Sequence, residues 1–302
     1  MNRPTFFAGA AAALLAGSRR AAADEPIALE VAYAGSMSSI MEGPIKTLAA
    51  ARFGLTLHGR AQGASGLAQL IASGSISPDV FISVTPSPIA TAIAAGKLDL
   101  AIPIAKTEMV IAYAPSSPYA LKFANAAKGE PWWQLLSKSD LKFGRTDPIT
   151  DPSGRNTIYV MQLAEALYKE PGLAKKILGD DINPNQIYAE PTIEARLQAG
   201  QLDAAGVYKI QPASLNLPFV RLPDEINLSD ARLQASYAHA SVTLNGKVWH
   251  PEPLVYYAAA LKHAAHPKEA AAFVTWLAGT EAQNAFRRFS YDSAGNAAPL
   301  HA

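Results

Sequence analysis

Three times this chain sets a small hydroxyl residue and glycine between an apolar run and a helix-forming stretch: Ala34-Gly35-Ser36, Gly63-Ala64-Ser65-Gly66 and Asp151-Pro152-Ser153-Gly154. Turns of this kind end a strand and open a helix, which commits the chain to alternating elements. The first follows IALEVAYA, Ile27 to Ala34, and leads into helical spacing from Met37 to Phe53 that Pro44 interrupts. Strands are then expected over Leu55 to Arg60, Val80 to Val84 and Glu108 to Ala114, and helices over Leu67 to Ala72 and Pro88 to Ala95. The alternation implies an α/β fold on a parallel, doubly wound sheet.

A second unit follows. Trp132 to Ser137, Thr157 to Lys169 and Thr192 to Gln198 read as helices, and Ala204 to Lys209 reads as a strand. The stretch from Pro223 to His250 is polar and irregular; Leu254 to Leu261 gives one more strand and Lys268 to Phe286 a helix. These elements predict two α/β lobes: residues 24–111 as the first part of lobe 1, 112–237 as lobe 2 and 238–302 as the return to lobe 1. With 302 residues, 49% of them hydrophobic, the chain has enough apolar material for two such cores. Ligands of open α/β sheets bind at strand C-terminal edges and helix N-termini, so a cleft between lobes is the expected site.

Residues 1–23 read as an export signal peptide. Met1-Asn2-Arg3 is a short basic start, Phe6 to Gly17 an apolar run too short to span a bilayer, and Ala21-Ala22-Ala23 a set of small residues for cleavage before Asp24. Removing it takes away Arg3, Arg19 and Arg20, so the basic count falls from 26 to 23 against 25 acids and the mature chain is near −2. That balance gives no electrostatic case for nucleic acid or an acidic membrane surface. No cysteine is present, which excludes disulfides, thiolate chemistry, Cys-based zinc sites and a lipid-accepting Cys after the leader. The expected product is a periplasmic, freely soluble monomer.

A helix N-terminus carries unpaired backbone N–H groups and about half a positive charge, and a Ser there adds an O–H donor. Each of the three turns is therefore a candidate anion cradle, although each is equally an ordinary helix cap, and Pro152 at a first helical position fits the cap well. A fourth helix start near Glu190 to Thr192 adds to the set, and Tyr208 ends a strand where its phenol could reach a cleft.

The segments AYAGSMSSIMEGPIK, QGASGLAQLIASG followed by PDVFISV, FGRTDPITDPSG followed by MQLAEALY, and LPDEINLS together resemble the tungstate/molybdate-binding proteins of ABC importers, notably their archaeal-type branch, from about Ile27 to Phe286. The resemblance implies the two-lobe, type II periplasmic binding fold with an oxyanion clamped between the lobes. It further implies donors from Ser36 with the adjacent Met37 and from Ser65, an approach by Asp151, the helix start at Ser153 and Gly154, Glu190 at the fourth start, and donation by Tyr208. One departure stands out: Val207 occupies the place before the tyrosine where archaeal-type members carry glutamate. A lone Asp151 would repel a dianion, so it is expected to cap its helix, leaving neutral donors to hold a tetrahedral molybdate or tungstate.

Other solutes fit the same fold: sulfate, phosphate, a small organic acid, or ferric iron through Tyr256-Tyr257, although adjacent strand residues face opposite ways. Catalysis finds little support. The six histidines lack i, i+4 metal spacing, and no GxSxG elbow or P-loop occurs. No cofactor or resident metal is implied, and the partners expected are the oxyanion and a membrane permease.

Overall fold

The computed structural model describes residue 1 and residues 27–302; apart from Met1, the leader expected over 1–23 lies outside the described residues. Among the described residues twelve strands form three sheets. Ala28–Ala34 (β1), Thr56–Gln62 (β2), Val80–Ser83 (β3) and Leu100–Lys106 (β4) enter the largest, and Met109–Tyr113 (β5), Phe143–Gly144 (β6), Ala204–Tyr208 (β7) and Phe219–Arg221 (β8) make the second. Val242–Leu244 (β9) and Lys247–Trp249 (β10) form a hairpin; Val255–Ala260 (β11) and Leu300–His301 (β12) return to the first sheet, whose order is β12-β4-β11-β3-β1-β2.

The first sheet is mixed where a parallel one was expected. β1 runs parallel to β2 and β3, but β11 lies antiparallel between β3 and β4. The reason is topological. β11 arrives from the second unit rather than through a crossover helix, so it enters the sheet from the opposite end. In the second sheet β5 is antiparallel to β7 and β8, with β6 parallel to β7.

Strand alternation sorts the core. Val31 and Tyr33 of β1, Val80 and Ile82 of β3, and Ile111 of β5 belong to one cluster that runs through both units. Ala32, Phe81 and Tyr257 pack on the far face of the first sheet, and Val110, Ala112 and Val207 on the far face of the second. Val207 is thus a core residue.

Local chemistry explains the breaks. Pro44 lacks the N–H an α-helix needs, and the chain there widens into a π turn, Met41–Ile45, between short helices. Lys268 to Phe286 resolves into two helices, Pro267–Leu277 and Thr280–Arg288, because Gly279 is extended and opens the second. The stretch read as irregular holds the β9-β10 hairpin, turned by Asn245 and Gly246, both at positive φ.

Between the sheets the chain crosses at Lys106–Met109, tied on both sides by backbone bonds: Lys106 exchanges them with Asp292, and the Met109 N–H donates to the Asn227 carbonyl at 2.8 Å. Side chains bind the same point. Lys209 pairs with Glu108 at 3.3 Å and with Asp292, and Arg221 reaches Glu108 at 2.8 Å. Among the described residues no helix is long and apolar enough to cross a membrane.

Candidate functional site

β1 and β2 pair in register with Ala34 opposite Gln62, so the turns that follow them leave the sheet side by side at one edge. The first turn is a 3-10 segment, Gly35–Met37, and the second opens the helix Ala64–Ala72 after Gly63. Facing them is the start of the helix Pro152–Tyr168: a methyl placed on Gly63 would lie 3.4 Å from the carbonyl oxygen of Thr150. The lobes meet at this crossing.

Ser36 is half-buried and held from two sides. Its hydroxyl lies 3.0 Å from the Tyr256 hydroxyl, and its carbonyl accepts from Tyr291 at 3.3 Å. Met37 is fully buried in the core, so of this residue only the backbone can serve a ligand. Ser65 opens onto a cleft that Pro152, Arg155 and Asn156 line from the other side.

Asp151 caps its helix, with Oδ1 accepting the Ser153 N–H at 2.8 Å and Pro152 in the first turn. Burial pushes its carboxyl above the usual range, opposed by the Ser153 N–H. Ser153 and Gly154 are buried, and a Cβ on Gly154 would collide with the carbonyl oxygen of Thr146 and sit 2.8 Å from the nitrogen of Pro148. Glycine here lets the helix start press against the 146–148 loop. One turn on, Asn156 Nδ2 donates to the Tyr208 hydroxyl at 3.1 Å, tying the end of β7 to the same helix.

Glu190 opens the helix Glu190–Gln198; its side chain lies outside what the structure describes. Its neighbour one turn on, Glu194, is the residue the sequence reading missed. Glu194 is 7% exposed and shares a cavity of about 390 Å³ with Ser36, and its Oε1 has no hydrogen-bond partner. Burial, opposed by its own backbone N–H and assisted by nearby Asp151, raises its carboxyl to about 6. A signal existed: Glu194 stands directly after the core residue Ile193 and three before the core residue Leu197, a charge on the edge of a buried helix face.

Ser65 and the helix start at Pro152 therefore share one cleft, and the Asn156 bond ties Tyr208 to that helix, while Ser36 lines a separate cavity with Glu194, whose carboxyl lies near Asp151. Tyr256 and Tyr257 do not converge; they pack on opposite faces of β11. Among the described residues no group of three or more His, Asp or Glu is placed to hold a metal ion.

The comparisons with known proteins agree with this architecture. Over 209 residues the chain is 32% identical to the molybdate/tungstate-binding protein WtpA of Thermococcus kodakarensis, covering 62% of this chain but 58% of the archaeal protein, so it spans under two thirds of that relative's length. The periplasmic molybdate-binding protein of Azotobacter vinelandii superposes with a TM-score of 0.60 at 16% identity, over 87% of this chain and 98% of that one. Iron-bound HitA from Pseudomonas aeruginosa does so with 0.57 at 19% identity, over 92% and 89%. These likenesses establish the two-lobe fold of periplasmic binding proteins, and because one of these proteins binds molybdate and the other is iron-bound, the fold alone does not choose a solute. Residues 29–292 match the profile of the bacterial extracellular solute-binding proteins, and the chain belongs to that family.

Proposed function

We propose that this chain captures a tetrahedral oxyanion, molybdate or tungstate, between two lobes that follow the two large sheets, and delivers it outside the cytoplasmic membrane to the permease of an ABC importer. The observation that carries the reading is the meeting of strand ends and helix starts from both sheets at one crossing, with Gly63 against Thr150 and Asn156 bonded to Tyr208. Unpaired N–H groups at helix starts suit an anion. The name of the Thermococcus kodakarensis relative supports the choice of solute.

In this reading Ser36 and Ser65 give hydroxyl donors, Met37, Ser153 and Gly154 give backbone N–H groups, Tyr208 gives its phenol, and Glu190 marks the fourth start. Asp151 serves as a cap and not as a ligand. A Kd near 1 nM needs about −12 kcal/mol, and several charge-assisted bonds of about 1.5–3 kcal/mol each supply much of it when preorganised. The protein acts as an exported monomer, its leader removed, with no catalytic step.

Glu194 favours a second reading. A carboxylate lining the site accepts a proton-bearing anion such as hydrogen phosphate, whereas it repels a full dianion unless protonated. The two readings predict opposite slopes. Between pH 5.5 and 7.5, around the carboxyl's value of about 6, molybdate affinity rises as pH falls, while hydrogen phosphate affinity falls. A thermal-shift screen of molybdate, tungstate, sulfate, phosphate and ferric iron across that range tests both. Stabilisation by ferric iron and by no oxyanion ends the proposal.

A further inference from the structure

Beside the crossing lies a wider cleft of about 760 Å³, which the oxyanion reading touches at Ser65, Pro152 and Asn156 and otherwise leaves unused. Its walls are the helix Pro152–Tyr168, the β9-β10 hairpin and the helix Pro86–Ala94. We infer that this cleft is a separate subsite for a small organic polycarboxylate, held by Arg155, Lys247 and Tyr159.

Three observations carry the assignment. First, Arg155 is 6% exposed; its Nη1 donates to the Pro148 carbonyl at 2.9 Å, and among the described residues no carboxylate lies within ion-pair distance of it. Second, Lys247 Nζ stands 3.7 Å from the centre of the Trp249 ring and the Arg155 guanidinium 4.4 Å from the same ring, so two cations share one indole with no ion-paired carboxylate. Neither cation has an ion-paired carboxylate among the described residues, and an anion entering the cleft that both line gains a charge-assisted partner from each. Third, the Tyr159 hydroxyl is buried, lines the cleft and has no partner, and burial keeps its phenol protonated as a donor. The cleft thus holds a fork, an ammonium and a hydroxyl, the donor set for carboxylate oxygens.

The ligand is organic because of the space and the walls. The volume is that of a site for a small organic molecule, and Pro88, Val248 and the Trp249 ring give apolar contact. Glu252 also lines the cleft, and its Oε1 accepts from the N–H and the hydroxyl of Ser87 at 3.0 and 2.7 Å. That acid takes a hydroxyl donor from a ligand and disfavours an anionic group on its own side, so the anionic groups turn toward the hairpin.

The test is calorimetry on the exported chain with citrate as probe and sulfate as the inorganic arm, with and without saturating molybdate. Citrate binds in both conditions. Lys247→Ala and Tyr159→Phe each weaken citrate by about fivefold or more and leave molybdate affinity unchanged. The inference is overturned if citrate gives no heat, if molybdate displaces it, if both variants bind it as the unaltered chain does, or if sulfate binds as tightly. Failure of molybdate alone to bind would end the oxyanion reading, and the citrate titration on the free protein would still read this subsite.

Discussion

Glu194 couples the site to pH. Its folded value of about 6 lies above the ordinary 4.5, so the folded chain binds the proton more tightly than the unfolded one. Its contribution to stability is present below pH 4.5 and is lost as pH rises through 6, a difference of about 2 kcal/mol. Glu194→Gln therefore raises the melting temperature at pH 7.5 more than at pH 4.5, and flattens the pH dependence of oxyanion binding; thermal melts and titrations at both pH values check it. Ser36→Ala and Ser65→Ala each weaken molybdate binding about tenfold or more, through loss of one hydroxyl donor to a charged ligand. Unchanged affinity in both removes these residues from the site. The hydroxyls are legible in the sequence because Gly and Ser at strand-to-helix turns form a local pattern. For Glu194 the sequence marks a charge on the edge of a buried helix face but not its placement beside Asp151, which depends on how two distant helices pack.

The helix Pro152–Tyr168 is the element on which the site is built. Its start touches the 146–148 loop through Gly154, and its first two turns carry the cap and Asn156, which bonds Tyr208. Gly154→Ala puts a methyl into backbone atoms that cannot swing aside; the expected result is a loss of about 2 kcal/mol or more in denaturant unfolding and weaker oxyanion binding. Unaltered stability and affinity in the Gly154→Ala variant would show that this close approach is not needed. At this scale the sequence was readable where local chemistry dominates, as in the Asp-Pro helix start and the apolar strands. It was less readable in the hairpin, where Asn245-Gly246 between Val-Thr-Leu and Lys-Val-Trp is itself a turn signal, submerged in a polar stretch. The π turn at Pro44 and the break at Gly279 kept the helices in place while changing their bounds.

Over the whole molecule the sheets are joined at Lys106–Met109, and Lys209 binds this point by pairing with Glu108, whose side chain is 3% exposed, and with Asp292. Lys209→Met strips a partner from a buried acid and is expected to cost about 3 kcal/mol in thermal or denaturant unfolding. No change would mean that Arg221, at 2.8 Å, satisfies Glu108 alone. The alternation of strands and helices made the α/β class and the existence of two units legible. The antiparallel insertion of β11 was not, since strand order and direction depend on contacts between residues far apart in the chain. Closure of two lobes about a cargo is the action such a fold supports. Calorimetry of the protein with molybdate and phosphate at neutral pH tests the account most directly: it predicts tight one-to-one binding of molybdate, and binding of phosphate without molybdate would contradict it.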